Sequence, residues 1–109
     1  MTLLTGDCRE QMPWHAPYDM ILADPPYGDT SLAWDRRVEG WVVLARAALR
    51  PTGSLWVFGS LRSFMATADR FTDAGLRIAQ EIVWEKQNGT GFHADRLKRV
   101  HELAVQFYP

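Results

Sequence analysis

Hydrophobic and polar positions change their period several times along the chain, and each change marks an element. The opening Thr2-Leu3-Leu4-Thr5-Gly6-Asp7-Cys8 runs apolar and β-branched residues into a glycine and an acid, which predicts a short strand closed by a Gly-Asp turn. Arg9 to Met12 has room for about one helical turn before Pro13 stops it. From Tyr18 to Ala23 apolar residues fall at successive rather than alternate positions, as on a strand covered on both faces, and predict a central parallel strand. Residues 29–37 are polar around an isolated Trp34 and predict a loop over the strand edge.

From Glu39 the period becomes helical, with Trp41, Leu44, Ala45, Ala48 and Leu49 on one stripe, and Arg50-Pro51-Thr52-Gly53 supplies a positive last turn and a breaker. Ser54 to Gly59 predicts a second buried strand. Ser60 then predicts the N-cap of a helix whose apolar positions are Leu61, Phe64, Met65, Ala68 and Phe71, closed at Gly75. Leu76 to Trp84 predicts a third strand with Leu76, Ile78, Ile82 and Trp84 on one face. Residues 85–100 turn polar, with Asn88-Gly89-Thr90-Gly91 as a flexible centre and Lys86, His93, Arg96, Lys98, Arg99 and His101 around it. Leu103 to Tyr108 predicts a last strand. Strands alternating with helices over short connections imply an α/β fold with a mostly parallel sheet.

Composition narrows this little. The 109 residues make one domain at most, and 47% hydrophobic with 23% charged residues describes a globular chain with a core to bury. Twelve basic side chains against 13 acidic ones give a net charge of -1, so a nucleic-acid partner would be met by a local patch. A single cysteine, Cys8, excludes an internal disulfide and a multi-cysteine metal site, and His15, His93 and His101 lack metal-ligand spacing. No apolar run approaches the roughly 20 residues that span a bilayer, so a cytoplasmic chain without a membrane partner is expected.

The candidate chemistry lies at the end of the first long apolar run, in Asp24-Pro25-Pro26-Tyr27-Gly28. Two prolines fix φ and remove N–H donors, so an acid followed by a rigid carbonyl becomes an acceptor-only cradle. Such a cradle suits a planar NH₂ group, its hydrogens held by the Asp24 carboxylate and the Pro25 carbonyl. Tyr27 adds a face for a flat ring, and stacking a base on an aromatic is worth ~1–3 kcal/mol. The tetrapeptide alone equally suits a plain strand-ending turn. Its context, an apolar strand before it and Gly28 and a helical crossover after it, favours the cradle. Trp41, Trp56 and Trp84 stand at core spacing, and Trp34 reads as a single surface aromatic.

Several segments in order resemble the amino-methylating DNA methyltransferases that act on adenine N6 or cytosine N4. The resemblance is carried by Gly6-Asp7-Cys8, Asp24-Pro25-Pro26-Tyr27-Gly28, Leu49-Arg50-Pro51-Thr52-Gly53-Ser54, Val57-Phe58-Gly59-Ser60, Ile82-Val83-Trp84-Glu85-Lys86 and His101-Glu102. It implies half of a Rossmann-like, partial doubly wound fold in the subgroup whose catalytic motif precedes the cofactor motif. It also implies transfer of a methyl group from S-adenosylmethionine to the exocyclic amine of a base flipped out of double-stranded DNA. Asp24, Pro25, Pro26 and Tyr27 would be catalytic, Asp7, Cys8 and Asp24 would touch the cofactor, and Lys86, Arg96, Lys98 and Arg99 would lie near DNA. Acid rather than serine at the first motif position favours adenine, with cytosine N4 as the alternative. Methylation of an RNA guanine amine or a protein glutamine is disfavoured, since only 23 residues precede Asp24 where a cofactor motif would have to stand.

The family's glycine-rich cofactor motif is absent from residues 1–109. The chain is therefore expected to be a single catalytic-half domain, truncated at its C-terminus or completed by another chain. Alone it is expected to bind cofactor weakly and transfer no methyl group. A non-catalytic remnant or DNA-binding module is the contrasting expectation.

Overall fold

A computed structural model describes residues 1–90 and 95–109. Gly91 and His93, both named above, lie outside the described residues. Four strands, β1 (Tyr18–Ala23), β2 (Leu49–Gly59), β3 (Arg77–Thr90) and β4 (Arg99–Tyr108), form one sheet in the order β1-β2-β4-β3. Helices α1 (Cys8–Gln11), α2 (Trp41–Ala48) and α3 (Leu61–Asp73) and a 3₁₀ turn (Met12–His15) complete it.

The sheet is mixed rather than mostly parallel. β1 and β2 run parallel, but β4 lies antiparallel between β2 and β3, so one of the three pairings is parallel. The cause is the connection. A helix carries the chain from β2 to β3, whereas β3 returns to β4 with Thr90 opposite Arg99, and strands joined without a crossover pair antiparallel. β1, expected in the centre, lies at one edge of the sheet, with β3 at the other. Its Ile21 and Ala23 pack on the core while Met20 and Leu22 face outward and exposed.

Helices α2 and α3 cover one face only, so the fold is not doubly wound over the described residues. On that face Leu55, Val57, Leu103, Val105 and Phe107 meet Trp41, Val42, Ala45 and Phe71. Phe71 and Phe107 stack with centroids 4.2 Å apart, and Trp41 meets Phe71 edge-on at 6.2 Å. The opposite face carries Leu22, Trp56, Phe58, Ile82, Trp84 and Ala104, with Phe58 and Trp84 edge-to-face at 5.9 Å. Trp84, expected in the core, is about half exposed there (52%). A bulge between Ile78 and Gln80 explains it: Ile78 pairs with Phe107 and Ile82 with Ala104, so the two isoleucines point to opposite faces.

Local chemistry sets the helix ends. Ser60 caps α3 by accepting from Ser63 N–H at 3.1 Å, while Ser63 Oγ accepts from Ser60 N–H at 3.0 Å, and Gly75 closes the helix at φ 81°. Leu49, expected on the helical stripe, and the expected breaker Arg50-Pro51-Thr52-Gly53 both belong to a strand. α2 ends at Ala48 and the chain enters β2 directly at Leu49, with a register shift opposite Tyr18–Met20 before regular pairing from Ser54. The opening residues 1–6 form no strand, since they lie exposed with no strand paired to them; Asp7 instead caps α1 through Arg9 N–H at 2.9 Å. Asn88, Gly89 and Thr90, expected in a flexible centre, belong instead to β3, which continues to Thr90.

Candidate active site

Topology gathers the site. β1 and β2 are parallel and end at Ala23 and Gly59, so Asp24 and Ser60 lie at the same sheet edge, where open α/β sheets place ligands. β4 runs the other way, and Gly59 pairs with Leu103, so its beginning, His101 and Glu102, reaches that edge too. β3 adds Trp84 opposite Glu102 and Lys86 two residues on. Segments far apart in the sequence thus converge on Asp24.

The hydroxyl of Tyr27 lies 3.3 Å from Asp24 Oδ1 and 3.2 Å from Glu102 Oε2. Glu102 Oε1 in turn accepts from Lys86 Nζ at 2.7 Å, and the ammonium sits 5.8 Å from the Trp84 ring centre. Burial first, and then the charges of Glu102 and Asp24, push the Tyr27 phenol above its ordinary range. It therefore remains a hydrogen-bond donor at neutral pH.

The loop behind the motif is held by a residue that the sequence pattern did not single out. Asp35, only 4% exposed, accepts from Gly28 N–H at 2.8 Å, Thr30 N–H at 2.8 Å and the Thr30 hydroxyl at 2.7 Å. These bonds, the Thr30 hydroxyl first, hold its carboxyl below the usual range. Gly28 adopts φ 72°, a left-handed turn open to glycine, and Arg37 Nε donates to the Tyr27 carbonyl at 3.0 Å. Tyr27 is thereby fixed from its backbone as well as from its hydroxyl. Position 35 lies in a stretch read as a polar loop, and no local spacing marks it.

Asp24 lines one of two grooves here, and Glu102 borders the other. One, of about 460 Å³, is lined by Leu4, Cys8, Ile21, Asp24, Pro25 and Trp41 among others. Cys8, exposed and with a free thiol, contributes to its wall. Asp7 does not line it. Arg9 engages that carboxylate at 2.6 Å, and these side-chain bonds, helped by Arg9 N–H, hold it at about 2. The other groove, of about 400 Å³, is bordered by Asp29, Ser60, Arg62, Arg96, Arg99 and Glu102. There Asp29 accepts from the Ser60 hydroxyl and pairs with Arg99 at 3.5 Å, and its buried Oδ1 has no hydrogen-bond partner among the described residues.

The four basic residues expected near DNA take different immediate partners, although Arg96 and Arg99 border the same groove. Lys86 belongs to the Tyr27 network, Arg99 to Asp29, and Arg96 to Asp95 at 3.2 Å. The stem of Lys98 lies across Gly89, where an added Cβ would come within 2.7 Å of it. Arg62, in the first turn of α3, joins Arg96 and Arg99 around the second groove and was not anticipated.

The chain belongs to the N6/N4 DNA methylase family, whose pattern it matches over residues 18–109. It is 32% identical over 94 residues to the type II methyltransferase M2.LlaDCHI of Lactococcus lactis subsp. cremoris, and 30% identical over 94 residues to M2.DpnII of Streptococcus pneumoniae. Each alignment takes in 64% of this chain and 35% of the relative, so the chain spans about a third of the length of these enzymes. In fold it resembles the M1.HpyAVI–SAM complex, with a TM-score of 0.66 at 22% identity, over 92% of this chain and 48% of that one. A precorrin-6y C5,15-methyltransferase of Geobacter metallireducens GS-15 shares the fold at a TM-score of 0.59 and 12% identity, over 99% of this chain and 54% of that one. Among the described residues, no helix is long and apolar enough to cross a membrane.

Proposed function

We propose that this chain is the catalytic half of an adenine-specific DNA methyltransferase of the cytoplasm, acting on the N6 amine of a base flipped out of duplex DNA. The observation that carries the reading is Asp24 at the carboxyl end of β1, backed by two residues without N–H groups and by a Tyr27 ring anchored at both ends. The Asp24 carboxylate and the Pro25 carbonyl accept the two amine hydrogens, and Tyr27 supports the base by stacking. Catalysis is then mainly positioning. The displacement would exchange the methyl–sulfonium bond for the new N–C bond, the sulfur leaving as a neutral thioether. Asp24 would accept the proton that the amine sheds, and no covalent bond to the enzyme is made.

S-adenosylmethionine fits the chemistry of the first groove, where one carboxylate, Asp24, stands among apolar walls suited to a cationic group with hydrophobic flanks. When bound, it supplies the electrophilic methyl group. Cys8 and Asp24 would hold it from this side; Asp7 is committed to Arg9 and to capping α1. The glycine-rich loop of the family is not among the 109 residues, so the remaining wall is to come from another segment or chain.

Labelled S-adenosylmethionine and adenine-methylation-free DNA, incubated with the chain alone, should yield no incorporation, and robust transfer would sink the half-enzyme reading. DNA from cells expressing the gene at its natural locus should contain N6-methyladenine dependent on that gene. N4-methylcytosine instead would move the assignment to cytosine, and the absence of both modified bases would overturn the catalytic reading.

A further inference from the structure

We infer that Glu102 is a positioning residue: it accepts the hydrogen bond of the Tyr27 hydroxyl and so keeps Asp24 free to accept from the target amine. The inference rests on the amine-cradle reading above. Tyr27 has one hydroxyl proton and faces two carboxylates at nearly equal distance, 3.3 and 3.2 Å. If that proton goes to Asp24, an acceptor position of the cradle is consumed before the base arrives.

Glu102 is built to win the competition. Its side chain is 13% exposed and is bridged through Oε1 to Lys86, while Oε2 faces Tyr27. A carboxylate accepts at both oxygens at once, so Glu102 serves Lys86 and Tyr27 together. The pairing of Trp84 with Glu102 across β3 and β4 sets Lys86 on the required side. An amide in the same place lacks this capacity. Its oxygen accepts from Lys86, its NH₂ turns to Tyr27, and the hydroxyl, now an acceptor, sends its proton to Asp24.

Glu102→Gln keeps the volume and reverses the proton routing, which makes the idea testable on the 109-residue chain. The probes are 2′-deoxyadenosine and purine 2′-deoxyriboside, identical but for the amine, titrated by NMR. The unsubstituted chain should prefer deoxyadenosine. Glu102→Gln and Glu102→Ala should each lower that preference about tenfold, the order of one hydrogen bond to a charged acceptor. Adding Tyr27→Phe to either should restore it, because the competing hydroxyl is gone. A preference retained in both Glu102 variants overturns the role of Glu102 alone. A preference lost but not restored by Tyr27→Phe shows a merely structural Glu102 and overturns it as well. No preference in the unsubstituted chain removes the cradle itself, and this inference with it.

Discussion

Gly59 joins β2 to the cap of α3, and nothing larger fits there. A Cβ at this position would lie 2.7 Å from Phe64 Cε2, 2.9 Å from Phe64 Cζ and 2.8 Å from Ser63 Oγ. Ser63 is half of the capping box with Ser60, and Phe64 packs against the core, so neither neighbour can give way without loss. Overpacking costs about 1–3 kcal/mol, and a disturbed N-cap about 1 kcal/mol more. Gly59→Ala should therefore destabilise the chain by about 2–4 kcal/mol, a large part of the total for a small domain. With a urea slope of about 1.5 kcal/mol/M, the unfolding midpoint should fall by about 1–3 M. Phe64→Leu removes the two blocking ring atoms, and on that background the cost of Gly59→Ala should drop by more than half. A Gly59→Ala midpoint within about 0.3 M of the parent, or equal costs on both backgrounds, would refute the steric account.

Asp35→Asn tests the loop behind the motif through pH. Because the fold holds the Asp35 carboxyl below its ordinary 3.8, this residue stabilises the native state above that pH, and the gain fades as pH falls below it. Thermal melts of the variant should accordingly show a weaker fall in stability on acidification from about pH 5 to about pH 3 than the parent does. In the core, Phe71→Ala and Phe107→Ala should each cost about 3–5 kcal/mol. Their double-mutant cycle should show about 0.5–1.5 kcal/mol of coupling from the 4.2 Å stack, and strict additivity in denaturant melts would contradict that stack.

Elements with purely local causes were legible in the sequence. Ser60 and Gly75 bound α3 as their side chain and backbone freedom require, and the stripe that starts at Trp41 is α2 as far as Ala48, its last member Leu49 opening β2. Pairing was less legible because it depends on partners distant in the chain. The apolar run at β1 resembled a central strand, yet its Met20 and Leu22 face a side that α2 and α3 do not cover. One bulged residue, Ala79, shifted Ile82 and Trp84 to that same side, an event with no signature in periodicity. The site divided in the same way. Asp24 to Tyr27 stood out because proline chemistry is local, whereas Asp35 and the link from Glu102 to Tyr27 depend on contacts made by folding.

Asp24→Asn measures the central claim most directly. The substitution keeps size but leaves one neutral acceptor oxygen where the carboxylate offers two charged ones. In NMR titrations, the parent's preference for 2′-deoxyadenosine over purine 2′-deoxyriboside should fall at least about tenfold, with the parent's shift changes centred on residues 24–28. An undiminished preference in Asp24→Asn, or nucleoside-induced shifts confined to other parts of the chain, would contradict the account.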